Sequence, residues 1–321
     1  MATTLDNPLP MGQKLRPRFS RLSDRRLAGL FLTPTMLLLL FITIFPLVWS
    51  LFLSFHDWSV TRDALTAPVW VGTKNYGDLL TATRIGQRTW ERFIVTGQFV
   101  IPAVTLELLL GFGVAVLLNR KFSGRAVFMT ILLIPMMLSP VVVALFWRFM
   151  MQGEGILNYI AVNLLRIGSI GWLTDRRTVI VSLIIVDVWM WTPFMMLISL
   201  AGLSAVPKYL YEAAAVDRAS GWFRFRHITL PMITPLLLIA IIFRTIDAYK
   251  LFDLGFVLLG SQGGPGRSAQ TAAMWVYEVA FSNFDTGQGS ALGYIMLIVI
   301  IALANVFIRV LNAFKGEGAS K

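Results

Sequence analysis

The sequence predicts an all-α membrane protein with six transmembrane helices, and three observations carry that prediction. Of 321 residues, 56% are hydrophobic and only 14% are charged, against about 25% charged in a soluble domain. Six apolar segments recur, each long enough to supply the roughly 20 helical residues that cross a hydrocarbon core. The chain also has no cysteine and only two histidines, the distant His56 and His227. That excludes a disulfide framework, a thiol nucleophile and a Cys-based zinc site. No motif links a nucleophile, a base and an orienting group, so neither catalysis nor a bound cofactor or metal is expected.

Each element follows from its residues. A tail, residues 1–26, carries six basic side chains from Lys14 to Arg26. The run 27–55 is then free of charge. It is far longer than the roughly 7–15 residues of a signal-peptide core, so it reads as an uncleaved first span. The second span, 93–119, has Glu107 as its one charge, and the third, 126–151, contains Pro135, Pro140 and Arg148. The fourth, 178–206, holds only Asp187. The fifth, 228–259, is charge-free as far as Arg244, and the sixth, 289–308, throughout. Together they define a six-span domain over 27–311, with a loop at 207–227 and a short C-terminal end at 312–321.

Charge then orients the spans. Of 28 Lys and Arg residues, 16 fall on the side of the tail and 8 on the other, with 4 in or near spans and the last loop. The positive-inside rule therefore places both termini in the cytoplasm. The formal charge of +11 reports that topology, and a nucleic-acid partner is not expected. Membrane lipid surrounds the spans. Prolines 34, 46, 102, 135, 140, 193, 231 and 235 interrupt or end spans, which a bilayer tolerates where neighbouring protein satisfies the freed backbone groups. Gly111 and Gly113 permit close helix contact.

The 207–227 loop is the most informative stretch. Its alanine-rich segment Tyr209 to Ala219 favours helix, with Glu212 early in it, near the positive end of the dipole. Ala213, Ala214, Ala215 and Ala219 leave a surface nearly bare of side chain, suited to a cleft in another protein. Gly221 offers a C-terminal break.

Here the chain resembles the EAA motif of ABC importer permeases, the subunit class of the bacterial maltose transporter. Glu212, Ala213, Ala214, Asp217, Ala219, Phe225, Ile228, Leu230 and Pro231 carry the match in the family's spacing. Four further stretches resemble the carbohydrate-uptake branch: Pro140 to Trp147, Asp187 to Pro193, Arg244 to Asp253, and Gly263 to Gly266. One departure stands out. Arg218 occupies a position where the family usually has glycine, so the break is expected to shift to Gly221.

The resemblance implies an ABC importer type I permease fold in the bacterial inner membrane and a division of labour. A second permease, two cytoplasmic ATP-binding subunits and an extracytoplasmic solute-binding protein are the implied partners. Glu212, Ala213, Ala214, Asp217, Arg218, Ala219, Gly221 and Phe225 are the implied contact with the ATPase. The chain has no G-x-x-x-x-G-K-[ST] phosphate loop, so ATP hydrolysis is expected from a partner.

Candidates for the solute path come from charges at membrane depth, which are costly and functional by default. Arg244, Asp247, Lys250 and Asp253 alternate in sign at spacings of three, so neighbours can pair on a helix. Two readings stand, a structural salt-bridge ladder or a solute contact by at least one member. Asp187 and Trp191 are similar cases, because aromatic faces suit sugar rings and carboxylates accept hydroxyl hydrogen bonds. Glu107 reads as a polar group facing the bundle, and Gly260 to Gly266 as a flexible turn. The expected solute is a sugar or related polyol. A non-sugar solute, or an ion-coupled secondary transporter using the ladder, are the alternatives, and the EAA-like loop argues against the last.

Overall fold

The computed structural model describes residues 24–319 except Ala64 and Lys121, with only the backbone of 24–26 and 314–319. Most of the tail and the last two residues of the C-terminal end therefore lie outside the described residues. Among those described, five helices are long and apolar enough to cross a membrane, or six if one bent pair counts as a span.

The first, α1, spans Leu27–Ser54 and includes a π-helical stretch, Leu40–Ile44. The chain divides at Ser50 into two compact units, and all that follows belongs to the second. After α1, a short antiparallel pair sets His56 opposite Trp70 and Asp57 opposite Val69. The Asn75 side-chain amide donates to the carbonyls of Ser54 and His56, both at 3.0 Å, and so fixes this connection to α2, Lys74–Leu80.

Next come α3, Arg84–Leu118, and α4, Arg125–Met137, followed by α5, Pro140–Met150. The expected third span is not one straight helix, because α4 and α5 meet at 97°. The cause is local. Proline disfavours helical backbone in the residue before it, and Ser139 accordingly sits at φ −65°, ψ 141°. Pro140 then starts α5, where a missing N–H costs nothing. A short helix follows, α6, Ile156–Tyr159.

Then α7, Val179–Ala205, is apolar on every side and has no polar stripe. Such a helix belongs in an interior, and 61% of its most apolar stretch is buried. Its main partner is α3, which turns a small-residue face toward it: Ala103, Gly111 and Ala115 are all buried. At Gly111 a Cβ would lie 2.7 Å from Met195 Cβ and from the Met196 backbone nitrogen. Only glycine allows the two axes to approach so closely there.

The chain continues through α8, Lys208–Val216, into α9, Gly221–Tyr249, which contains a π-helical stretch at Phe225–Thr229. The expected fifth span to residue 259 ends ten residues early. Tight bonds from Lys250 N to Asp247 O and from Leu251 N to Ala248 O, both 3.1 Å, close α9. A separate helix, α10, runs Asp253–Leu259 and packs on α5. The glycine-rich stretch after it is a compact loop rather than a loose turn. Gly263, Gly264, Gly266 and Arg267 all have positive φ, and Arg267 Nη1 grips the Glu278 carboxylate at 2.6 and 2.7 Å. The chain ends with α11, Ala272–Tyr277, and α12, Thr286–Ala319.

The largest apolar core joins α3, α5, α7, α9, α10 and α11, with Met296 of α12. A second, including Leu118, Leu200, Leu203 and Ile233, sits at the α8 end. A third, including Leu79, Trp275 and Leu292, sits near α2.

Candidate functional site

Two constellations stand out, one on α8 and one at mid-helix. Helix α8 is anchored by one face. Leu210 and Tyr211 pack on the second core, Ala214 is buried at 7% exposure, and Tyr211 OH pairs with Thr229 Oγ1 at 2.8 Å. The spacing of three and four residues makes this one stripe. The rest of the helix surface is bare: Glu212, Ala213, Ala215 and Asp217 are exposed, and Tyr209 and Val216 are exposed at 66% and 84%, with Tyr209, Glu212 and Val216 opposite the anchored stripe. Ala214, expected at a partner surface, therefore faces its own chain, and Ala213 is the small residue that looks outward.

The turn after α8 also differs from expectation. The helix stops at Val216 rather than Ala219, and the reversal occurs at Arg218, whose φ is +55°. A left-handed residue there explains why glycine suits this position, and Arg218 carries the steric cost of a Cβ, about 1–2 kcal/mol. Gly221 is not the break, because it opens α9. There Ser220 caps the helix, its hydroxyl accepting from the Phe223 N–H at 3.2 Å. Phe225 lies half-buried, its ring 6.0 Å from that of Phe112 on α3. Between α8 and the start of α9 a hollow of about 540 Å³ is lined by Leu210, Ala213, Ala214, Asp217, Ala219 and Phe223.

The second constellation centres on Arg244 of α9, 2% exposed. Its guanidinium reaches three carboxylates on three helices. Glu107 of α3 accepts from Nη2 at 3.0 Å, and its other oxygen lies 2.8 Å from Nε, an ionic contact without in-line N–H geometry. Asp187 of α7 accepts a short bond from Nη2. Asp247, one turn on along α9, accepts from Nη1 at 2.9 Å. Glu107 and Asp187 are fully buried, whereas the Asp247 side chain is 53% exposed. The guanidinium carbon sits 4.8 Å from the centre of the Trp191 ring, a cation–π distance. Trp191, Phe194, Phe243, Arg244 and Asp247 then line an open cleft of about 400 Å³ between α7 and α9.

The structure brings Asp187, Trp191, Arg244 and Asp247 together and leaves out Lys250 and Asp253. The expected ladder stops at its first rung, because the helix that would carry it ends at Tyr249. Lys250 and Asp253 are exposed, and among the described residues neither forms an ion pair. Glu107, read as a bundle-facing polar group, is a full partner of Arg244. Its signal in the sequence is that it stands as the one charge of its span, four residues before the Gly111 that admits α7. Among the described residues no cluster of His, Asp and Glu is placed to hold a metal ion.

Apolar helices long enough to span a membrane, with an anchored helix on the loop between two of them, make a polytopic membrane protein whose spans are joined by a docking-type helix. Residues 107–315 match the family described as binding-protein-dependent transport system inner membrane component, and the chain belongs to that family. It is 34% identical over 309 residues to the trehalose/maltose transport system permease protein MalF of Thermococcus litoralis, covering 95% of this chain and 98% of that one. It is 33% identical to the trehalose transport system permease protein SugA of Mycobacterium tuberculosis, covering 93% of each. The fold also matches a permease chain in the crystal structure of a bacterial alginate ABC transporter in complex with alginate pentasaccharide-bound periplasmic protein. The TM-score there is 0.73 at 18% identity, over 90% of this chain and 95% of that one.

Proposed function

We propose that this chain is the non-catalytic permease subunit of a sugar importer, driven by partner ATPases through α8. The carrying observation is the two-faced character of α8: anchored through Leu210, Tyr211 and Ala214, bare at Tyr209, Glu212, Ala213 and Val216. A push on the bare face cannot be absorbed locally. It passes directly to α7, joined through Pro207, and to α9, joined through the Arg218 turn. Glu212 and Asp217 supply charge-assisted acceptors for basic groups of the ATPase, with Ala219 and Gly221 shaping the turn into α9.

Helices α7 and α9 are also the walls of the Trp191 cleft, so the two constellations share their moving parts. Motion of either wall changes the exposure of Trp191 and Asp247, which offer an aromatic face and a free carboxylate oxygen to a sugar. Asp187 and Glu107 lie behind Arg244 and position it. The sugars named for the relatives above support a carbohydrate solute, and the periplasmic protein bound to the structural neighbour supports delivery by a solute-binding protein. A second permease completes the path. Both termini and α8 face the cytoplasm, as the excess of basic residues on that side indicates.

The test replaces small residues on the two faces of α8 in the assembled transporter. Ala213→Trp is expected to leave permease melting unchanged and to abolish co-purification of the ATPase. Ala214→Trp is expected to lower permease stability, because overpacking costs about 1–3 kcal/mol. Full ATPase retention and full uptake in Ala213→Trp would overturn the assignment of α8.

A further inference from the structure

Burying one guanidinium calls for one carboxylate, and Arg244 is given three. Glu107 and Asp187 are fully buried and accept from Nη2, while Asp247 accepts from Nη1 with its side chain 53% exposed. Buried charges persist when they are paired, so the third carboxylate exceeds what the bundle needs. A proton shared by Glu107 and Asp187 would still leave that excess, because their remaining charge already balances Arg244. The surplus group is Asp247, which lines the open cleft beside Trp191.

The same arrangement withdraws the cation. Arg244 is 2% exposed, its Nη1 and Nη2 atoms donate to carboxylates, and its guanidinium lies against the Trp191 ring. Asp247 holds Arg244 through Oδ2, and among the described residues its Oδ1 has no protein partner. The rest of the cleft's lining is aliphatic and aromatic, and Lys250 and Asp253 lie outside it. Low-dielectric walls around charge of one sign focus its field. The cleft therefore presents a negative end and no accessible positive one.

We propose that the Trp191 cleft is a charge filter: it admits uncharged or cationic hydroxylated solutes and rejects anionic ones such as uronates, sulfonates and phosphate esters. This rests on the reading of the cleft as part of the sugar path, and it narrows the substrate class of that path. A hydroxyl or ammonium group donates to Asp247 Oδ1. An anionic group brings like charge to the same carboxylate, and the guanidinium that could offset the repulsion is already engaged.

Small organic probes of each charge test the filter directly. Phe243 lines the cleft, is 66% exposed, and lies four residues before Asp247 on α9, which sets their Cβ atoms about 5–6 Å apart. The chain has no cysteine, so Phe243→Cys gives it a single thiol, and the mass of this chain reports its reaction in the assembled transporter in lipid nanodiscs. The probes are the 2-hydroxyethyl, 2-(trimethylammonio)ethyl and 2-sulfonatoethyl methanethiosulfonates, with each rate divided by that for free cysteine. The hydroxyethyl reagent should react, and the cationic reagent should react at least about tenfold faster than the anionic one. Asp247→Asn should lower that cation-to-anion ratio about fivefold or more. Ile239→Cys, also in the lining but about 12 Å along the helix from Asp247, should show a smaller ratio because the field is screened over that distance. A sulfonate that reacts as fast as the cation, or a ratio that Asp247→Asn leaves unchanged, would overturn the filter and leave the solute path standing. Failure of the hydroxyethyl reagent to reach either thiol would instead overturn the path itself, and the filter with it.

Discussion

Arg244→Met is the perturbation that exposes most about how this bundle holds together. The substitution preserves much of the side chain's volume and removes its charge. What remains is two carboxylates, Glu107 and Asp187, at 0% exposure on adjoining helices with no cation between them. Removing one partner of a buried ion pair costs about 3–5 kcal/mol, chiefly through the uncompensated charge left behind. Asp247→Asn is the informative contrast. Its carboxylate is half-exposed and three residues from Arg244, and Arg244 keeps two other carboxylates when it is lost. The expected cost falls to about 0.2–0.5 kcal/mol, the range of an exposed helical pair. Adding Glu107→Gln and Asp187→Asn to Arg244→Met removes the stranded charges, so the triple variant should recover much of the loss. Unfolding free energies measured by tryptophan fluorescence during denaturant titration in mixed micelles would rank the three. The reasoning fails if Arg244→Met lies within about 1 kcal/mol of wild type, or if Asp247→Asn costs as much as Arg244→Met.

Further outcomes follow from the turns and the topology. Arg218→Gly should keep ATPase retention at or above wild type, because glycine adopts φ +55° without strain, whereas the β-branched Arg218→Val should lower it; co-purification reads both. Burial raises the Asp285 carboxyl above its ordinary value, only partly offset by the Gln288 backbone N–H. The folded state thus holds that proton more tightly than the unfolded state, and stability falls as pH rises through that range. Asp285→Asn should therefore raise the melting temperature at neutral pH, with the gain vanishing below the ordinary carboxylate range; a pH series of melts decides. In this cysteine-free chain, Ser123→Cys should react with an impermeant thiol reagent only in opened cells and Thr73→Cys also in sealed ones. The reverse pattern would invert the topology.

The spanning helices were legible because a charge-free run of helical length has few other uses, and the loop because its alanines and Glu212 fall in a recognisable spacing. The face that α8 buries was not legible. Neighbouring residues on a helix differ by about 100°, and composition cannot tell Ala213 from Ala214 when both are alanine. The Arg244 cluster was half visible. Sequence displays neighbours, so the alternation from Arg244 to Asp253 suggested a ladder along one helix. The partners that matter most, Glu107 and Asp187, lie 137 and 57 positions away. They meet Arg244 because Gly111 lets α3 and α7 close. The early end of α9 was hidden for a similar reason: no proline or glycine marks Lys250, and the break lies in backbone bonds that local composition does not encode.

The central claim is that this chain forms part of a sugar path opened by ATP hydrolysis elsewhere. Its most direct test is uptake by proteoliposomes containing this chain with the proposed second permease, ATPase subunits and solute-binding protein. The sugar that the solute-binding protein carries should accumulate only with ATP inside the cytoplasmic-facing compartment. The rate should be unchanged when ionophores collapse the ion gradients, and lost in Ala213→Trp. Uptake that needs an ion gradient and proceeds without ATP would contradict the account.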